Sequence, residues 1–337
     1  MSERFQVLDG WRGVSILLVL LGHLFPLGPQ ALLINGAAAG SGMVLFFILS
    51  GFLITNILIR DRGVVNFLIR RFARIVPLAW LSLAITLLLH QARSYEWLSG
   101  MLFFANLPPF GLLESTSHFW SLCVEVQFYL LIGLLVLTFG ETAFLIIPLL
   151  AVAITGLRVI EGAHSTIVTY LRIDEILAGC ILALIHNRGS SSLRQRIGQI
   201  SPILLMPLLM LSAHAWSGPL NYLRPYIAML LVGSTLFSAR DTALTRILTA
   251  PMLRYLATVS YAVYILHGIL AHTWLGSGDR LVKYAKRPLL LAATFGLAHI
   301  STNHYEKFWI NLGRHLILRR NGAIGRGIPA TSQRGSE

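Results

Sequence analysis

Long runs of apolar residues, separated by short polar loops, recur along the whole chain. We identify ten runs, each close to the roughly 17–25 residues that a helix needs to cross the hydrocarbon core of a membrane. They are residues 12–28, 37–59, 75–90, 119–139, 143–160, 170–186, 202–217, 222–238, 254–275 and 288–305. The pattern predicts an all-α, polytopic integral membrane helical bundle of about ten transmembrane helices.

The composition favours one membrane domain over a soluble protein with an anchor. Hydrophobic residues make up 55% of the 337 residues and charged residues only 12%, against about 25% charged residues in a typical soluble domain. We assign residues 1–318 to a single transmembrane domain and 319–337 to a short, basic, disordered cytoplasmic tail. The only cysteines, Cys123 and Cys180, lie in apolar runs and suggest neither a disulfide framework nor a metal site.

The net charge of +13 is better explained by membrane topology than by nucleic-acid binding. The basic residues fall between the apolar runs, and no basic domain stands apart to bind nucleic acid. With the N-terminus inside, 19 of the 27 Lys and Arg residues fall on the cytoplasmic side of the ten spans. This bias predicts that both termini are cytoplasmic.

Arg12 and His23 are the most informative polar residues of the first span. Each helical residue turns by about 100° and rises by about 1.5 Å, so eleven steps place both side chains on nearly the same face, roughly 16 Å apart. Arg12 then lies at the cytoplasmic surface, and His23 lies deep in the membrane, where a polar side chain is a functional candidate by default. A neutral imidazole can act there as a general base on a hydroxyl. The alternative is a histidine that hydrogen-bonds a neighbouring helix as part of the packing.

A strongly basic loop connects the second and third spans. It carries Arg60, Arg62, Arg70, Arg71 and Arg74. A positive-inside signal alone would explain these residues. Arg71 and Arg74, however, are three residues apart and share a helix face, and two adjacent guanidiniums suit a polyphosphate. Both interpretations can hold together.

The fourth span brings a carboxylate, Glu125, about one and a half turns into the membrane. Such a group must be protonated, paired or in a wet cavity, because an unpaired carboxylate is costly there. A pairing with His23 would orient the imidazole and raise its basicity. Trp120, nearby, is a candidate for substrate contact, although an interfacial or packing role explains it well.

Two further groups are candidates for binding a polar substrate. Arg172 and Asp174 lie at the outer mouth of the sixth span, and residues two apart do not face each other on a helix. They either pair with other helices or contact the substrate. Ser260, Tyr264 and His267 in the ninth span follow an i, i+4, i+7 spacing. A polar stripe of this kind faces protein or water rather than lipid, so Tyr264 and His267 are candidates for lining a substrate site.

Together these motifs resemble the acyltransferase-3 family of integral membrane acyltransferases, over nearly the whole chain. Six motifs follow the family's order: Leu8–Gly13 with His23, Phe46–Ile54, Arg71–Pro77, Phe119–Tyr129, Arg172–Gly179 and Ser260–His267. Two positions depart from the family pattern. Val126 replaces the second Glu of the VEEQ motif, which leaves Glu125 to serve alone, and Cys123 replaces the usual Ser.

The resemblance implies an enzyme of the bacterial plasma (inner) membrane that transfers a group other than an amino-acyl group. The acyl group, usually acetyl, would pass from cytoplasmic acyl-CoA to a hydroxyl of a carbohydrate or lipid-linked glycan outside, such as O-antigen, exopolysaccharide or a signalling oligosaccharide. His23 would be the catalytic histidine and Arg12 its motif partner. Arg71 and Arg74 would bind the CoA phosphates, and no metal is expected.

A transporter or flippase of a lipid-linked glycan, without acyl transfer, is the alternative function. Intramembrane polar residues would suit it equally well. It would not require the Arg12–His23 pair, and no inverted repeat is visible in the sequence.

Overall fold

The computed structural model describes residues 6–238 and 242–326, and over these residues the chain is helical and has no β-strand. The expected all-α class is therefore confirmed. Fifteen α-helices occur in this part of the chain, joined by short loops and 3-10 turns. They are α1 (Gln6–Leu24), α2 (Ile34–Arg60), α3 (Val64–Leu89), α4 (Ser94–Met101), α5 (Trp120–Phe139), α6 (Ala143–Ile160), α7 (Asp174–Arg188), α8 (Ser191–Gln199), α9 (Pro202–Ala213), α10 (Arg224–Leu236), α11 (Ala243–Leu248), α12 (Pro251–Ala271), α13 (Arg280–Ala285), α14 (Arg287–Ile300) and α15 (Lys307–Arg326).

Five helical segments of the described residues are long and apolar enough to cross a membrane. They are Gln6–Leu24, Ile34–Arg60, Val64–Leu89, Glu114–Ile160 and Pro251–Ala271, and the pair α8 and α9, bent by 77°, makes a sixth if it forms one span. Every predicted run contains a helix, but α7, α9 and α10 have only 15, 12 and 13 residues. At about 1.5 Å per residue, these helices are shorter than a hydrocarbon core of about 30 Å. The number of ten transmembrane spans and the cytoplasmic location of both termini therefore stay predictions.

The C-terminal helix extends further than the sequence pattern suggests. A π-helical turn, Ser301–Glu306, joins α14 to α15, which runs to Arg326. The first part of the predicted tail, residues 319–326, is therefore helical rather than disordered. Residues 327–337 lie outside the described residues.

Four helices form the centre of the bundle: α1 packs against α2 and α12, and α2 packs against α7. Small residues allow the closest of these approaches. A Cβ atom on Gly51 of α2 would lie 2.0 Å from the carbonyl oxygen of Ile176, and one on Gly179 of α7 would lie 2.1 Å from that of Ile48. Backbone contact of this kind is typical of helix pairs that pack in membranes. The arrangement fixes the C-terminal end of α1 beside α12.

Candidate active site

His23 lies in the last turn of α1, where the chain turns away from the helix. Pro26 follows shortly afterwards and cannot continue a helix, because its nitrogen carries no hydrogen. The Asn35 side chain satisfies the free backbone groups: its Nδ2 donates to the carbonyl oxygens of Gly22 (2.8 Å) and Phe25 (2.5 Å), and its Oδ1 accepts from the Leu27 amide (3.2 Å). The end of α1 is thereby fixed by a side chain from α2.

The exposed face of His23 opens onto a large cavity of about 1220 Å³, the histidine cavity. Asn35, Asn221 and His164 contribute polar lining, and α13 and the start of α14 form a basic wall. This volume accommodates a sugar-sized ligand or larger, since typical ligand pockets have volumes of about 300–1,000 Å³.

A second histidine holds His23 in place. Nδ1 of His23 lies 2.9 Å from Nε2 of His267 on α12, and the two ring planes differ by only 11°. Nδ1 of His267 lies 2.6 Å from the carbonyl oxygen of Tyr264. A carbonyl can only accept, so His267 must carry its proton on Nδ1 and, as a neutral ring, offer a lone pair at Nε2. His23 then donates from Nδ1.

The same chain of hydrogen bonds leaves the unprotonated Nε2 of His23 free to accept a proton. The other ring nitrogen sets the position of the lone pair, as in other general-base histidines. The site therefore presents a neutral imidazole, in a defined tautomer, to a cavity that can hold a hydroxyl compound.

His118 is a third member of this cluster, and the sequence motifs gave it no role. Its Nε2 donates to the carbonyl oxygen of Ile265 (3.0 Å), and its ring packs edge-on against His267 with centroids 5.2 Å apart. The space for this ring comes from Gly268, because a Cβ atom there would lie 2.3 Å from the His118 Nδ1. In the sequence, the one sign of this close packing is Gly268, the glycine directly after His267 in the ninth span.

Tyr264 and His267 do not line the histidine cavity, so their predicted role in substrate contact is corrected. Both are buried, with 7% and 1% of the residue exposed. The Tyr264 hydroxyl donates to the carbonyl oxygen of His118 (2.5 Å) and lies 2.7 Å from Ser121 Oγ. The stripe predicted from the i, i+4, i+7 spacing faces protein, and its member His267 forms the hydrogen bond to His23.

Glu125 is not the partner of His23. Its Oε1 accepts hydrogen bonds from Ser50 Oγ and from the Tyr129 hydroxyl, each 2.5 Å long. It also lies within electrostatic range of Arg12. The carboxylate therefore belongs to the cytoplasmic end of α1 in the predicted orientation, and the sequence-based pairing with His23 is wrong.

Arg71 and Arg74 share a second, smaller cavity of about 650 Å³, the arginine pocket. Arg70 and Arg314 also line it, so α3 and α15 both contribute positive charge. The Arg71 guanidinium lies 5.7 Å from the ring centre of Tyr129, a cation–π distance. Paired guanidiniums in a pocket of this size fit a polyphosphate.

Arg12 lies beside this pocket rather than beside His23. It is within electrostatic range of Arg74 and Arg71, and its guanidinium lies 5.5 Å from the Phe46 ring centre. Its Nε is buried without a hydrogen-bond partner among the described residues. His23 therefore lines the histidine cavity, whereas Arg12 lies near the arginines of the other cavity without lining it, consistent with a separation of about 16 Å along the helix.

Arg172 and Asp174 belong to a buried ionic cluster, which corrects their predicted role in substrate binding. Asp174 Oδ2 lies 2.5 Å from Arg158 Nη1, with both side chains fully buried. Glu175 pairs with Arg172 at 3.1 Å and with Arg224 at 2.6 Å. Each of these charges has an oppositely charged partner within the cluster, so we assign the cluster to structure rather than to ligand binding.

Trp120 packs against Arg172 of this ionic cluster. The Arg172 guanidinium lies 5.1 Å from the Trp120 ring centre, and Trp120 does not line the histidine cavity. Arg158, whose pairing the sequence did not reveal, also donates to Asn221 Oδ1 (2.8 Å) and to the carbonyl oxygen of His164 (3.2 Å). Through these two residues the ionic cluster braces the wall of the histidine cavity.

Comparison with known proteins agrees with the motif pattern. Residues 5–302 match the family described as Acyltransferase domain, Acyl_transf_3. The chain is 28% identical over 317 residues to "Putative peptidoglycan O-acetyltransferase YrhL" of Bacillus subtilis, covering 77% of this chain and 47% of that protein. It is 26% identical over 312 residues to "Peptidoglycan O-acetyltransferase OatA" of Listeria monocytogenes, covering 77% and 48%. The chain spans about half the length of these curated relatives. No solved structure matches it significantly.

Proposed function

Since the chain belongs to the acyltransferase-3 family, whose match extends over residues 5–302, we propose that it is a membrane O-acyltransferase that uses cytoplasmic acyl-CoA. The acceptor is a hydroxyl of an exported or cell-surface carbohydrate. The observation that carries this proposal is the His23–His267 hydrogen bond of 2.9 Å, because it engages Nδ1 and leaves Nε2 as the proton acceptor of a histidine that lines an open cavity.

The arginine pocket supports an acyl-CoA donor. Arg71 and Arg74 would hold the phosphates of CoA, with further positive charge from Arg70 on the same helix, from Arg314 on α15 and from the nearby Arg12. Guanidiniums bind phosphate oxygens in bidentate fashion. When bound, acyl-CoA supplies an activated carbonyl and a thiolate leaving group, and we assign acetyl as the group transferred.

His23 performs the proton transfers of the reaction. Its Nε2 accepts the proton of the acceptor hydroxyl as the oxygen forms a bond to the acyl carbonyl carbon. The imidazolium then returns this proton to the departing sulfur. His267 stabilises the positive ring by accepting from Nδ1, and no acyl-enzyme intermediate is needed. The ester and free CoA are the products, so atoms and protons balance.

A carbohydrate acceptor is supported by the relatives and by the cavity. The names of the two relatives specify peptidoglycan as what they acetylate, and the histidine cavity is open and lined by amide and basic groups. We therefore propose a surface glycan, acylated at the outer side of a bacterial plasma membrane.

The direct test uses purified protein reconstituted in liposomes with radiolabelled acetyl-CoA inside and a glycan acceptor outside. The proposal predicts labelled ester on the glycan and stoichiometric release of CoA. The alternative, a transporter or flippase, predicts movement of a labelled glycan lipid across the bilayer without any consumption of acetyl-CoA, and that result would overturn the proposal.

A further inference from the structure

One wall of the histidine cavity is basic. Arg280 and Lys283 of α13 and Arg287, the first residue of α14, all line the cavity, together with the ring of Tyr284. No Asp or Glu side chain is among its lining residues in the described part of the chain. The nearby Asp279 caps α13, accepting from the Val282 amide at 2.8 Å. The field of this wall is therefore positive and not neutralised from within the cavity.

Arg287 is the unusual member of this wall. Only 5% of the residue is exposed, and its Nε and Nη1 are buried without a hydrogen-bond partner from residues 6–238 or 242–326. Its guanidinium lies 5.7 Å from the Tyr284 ring centre, a contact that satisfies the face of the group but not its N–H donors. A buried charge without an anionic partner is costly, so the surroundings of Arg287 favour the binding of an anion.

Three other buried arginines near this region also have an N–H group without a hydrogen-bond partner among the described residues, but each of them has a carboxylate at ion-pair distance. Arg158 pairs with Asp174, and both Arg172 and Arg224 pair with Glu175. Among the residues that the structure describes, each of these arginines has a carboxylate partner, whereas Arg287, which lines the cavity beside His23, has none.

We propose that the histidine cavity binds an acceptor that carries an anionic group, a carboxylate or a phosphate, and that Arg287 is the principal ligand of this group. Lys283 and Arg280 add attraction at the mouth, and the anion's position orients a hydroxyl toward Nε2 of His23. The identification of the ligand as the acyl acceptor rests on the proposed function. The binding of an anionic ligand at Arg287 can be measured without acyl transfer.

The experiment measures binding to the full chain in phosphatidylcholine nanodiscs, by calorimetry, with charged and neutral probes of matched size. The probes are digalacturonate against digalactose and glucose 1-phosphate against glucose. We expect at least one charged probe to bind roughly tenfold to 100-fold more tightly than its neutral counterpart, as a charge-assisted hydrogen bond provides. Arg287→Gln should abolish the preference, and Arg287→Lys should keep part of it.

The matched control is Arg93→Gln, which removes the same charge from an exposed position outside the cavity and should keep the full preference. A structural role for Arg287 is distinguished by thermal unfolding: the Arg287→Gln protein should be at least as stable as wild type without ligand. A lower melting temperature, an equal affinity for charged and neutral probes, or a preference that survives in Arg287→Gln would each overturn the proposal.

An anionic lipid headgroup could offer the same chemistry, so the measurement is repeated with phosphatidylglycerol in the nanodisc. The proposal predicts that the preference of wild type for the charged probe persists there. Loss of the preference in phosphatidylglycerol would assign the cavity's anion to the lipid and contradict an anionic acceptor.

Discussion

Replacing His267 by Phe tests the assignment of the His23 tautomer. The phenyl ring fills most of the space of the imidazole but cannot accept the hydrogen bond that His23 Nδ1 now makes at 2.9 Å. Leaving a buried donor without a partner costs about 1–3 kcal/mol, and for this partly buried bond we take that range as the upper limit. If that cost falls on the tautomer whose lone pair is at Nε2, kcat decreases by roughly 5- to 160-fold, since about 1.36 kcal/mol corresponds to a factor of ten.

The assay is the initial rate of acetyl transfer in liposomes at saturating acetyl-CoA and glycan. Because the arginine pocket lies at the other end of α1, the KM for acetyl-CoA should stay unchanged in His267→Phe. His267→Gln, whose amide oxygen can accept from His23, should recover part of the rate. This split between kcat and KM separates a positioning role from general damage to the protein.

Tyr264→Phe is the matched control, because it removes a buried hydroxyl from the same helix turn but keeps the backbone carbonyl that holds His267. We expect its kcat to stay within a few-fold of wild type. A His267→Phe protein with wild-type kcat, or an equal loss in Tyr264→Phe, would refute the tautomer argument.

Three further changes have expected outcomes. Arg71→Gln should raise the KM for acetyl-CoA roughly tenfold to 100-fold with little change in kcat at saturation, measured by initial-rate kinetics; an unchanged KM removes this residue from the donor site. Gly268→Ala should lower stability by about 1–3 kcal/mol in thermal unfolding, since its Cβ would press on the His118 ring; the control Gly296→Ala, with open space around it, should not. Asp174→Asn should destabilise the protein by about 3–5 kcal/mol, because its buried arginine partner loses its counter-charge; a normal unfolding temperature would contradict this.

The sequence was sufficient to predict which helix faces carry polar groups, but not which helices meet. Helical spacing separates Arg12 from His23 by about 16 Å, and in the structure His23 lines the histidine cavity while Arg12 lies near Arg71 and Arg74. The stripe containing His267 was also predicted to face protein or water. The contact between His267 and His23 depends on the packing of α12 against α1. The two histidines are 244 positions apart in the sequence, and no local pattern encodes their pairing.

The wrong partner assigned to Glu125 and the two alternatives left open for Asp174 have the same origin. A carboxylate in an apolar segment must find a partner, yet the sequence does not say whether that partner is a substrate, a catalytic histidine or another buried side chain. For Glu125 the partners are Ser50 and Tyr129, and for Asp174 the partner is Arg158. Tertiary packing decided each case.

The count of spans shows a further limit of hydropathy. Apolar runs correctly marked the positions of helices, but three of these helices are only 12–15 residues long. Short helices of this kind can be buried among longer ones, because protein neighbours rather than lipid then satisfy their ends. Run length in the sequence does not distinguish these cases.

The central claim is that His23 is the general base of acyl transfer, and the most direct measurement is the transfer rate of the His23→Gln protein in liposomes. The account predicts a rate lower by about 10²–10⁴-fold, the usual contribution of general-base catalysis, with acetyl-CoA affinity and unfolding temperature close to wild type. A His23→Gln protein that transfers acetyl within about tenfold of the wild-type rate would contradict the account.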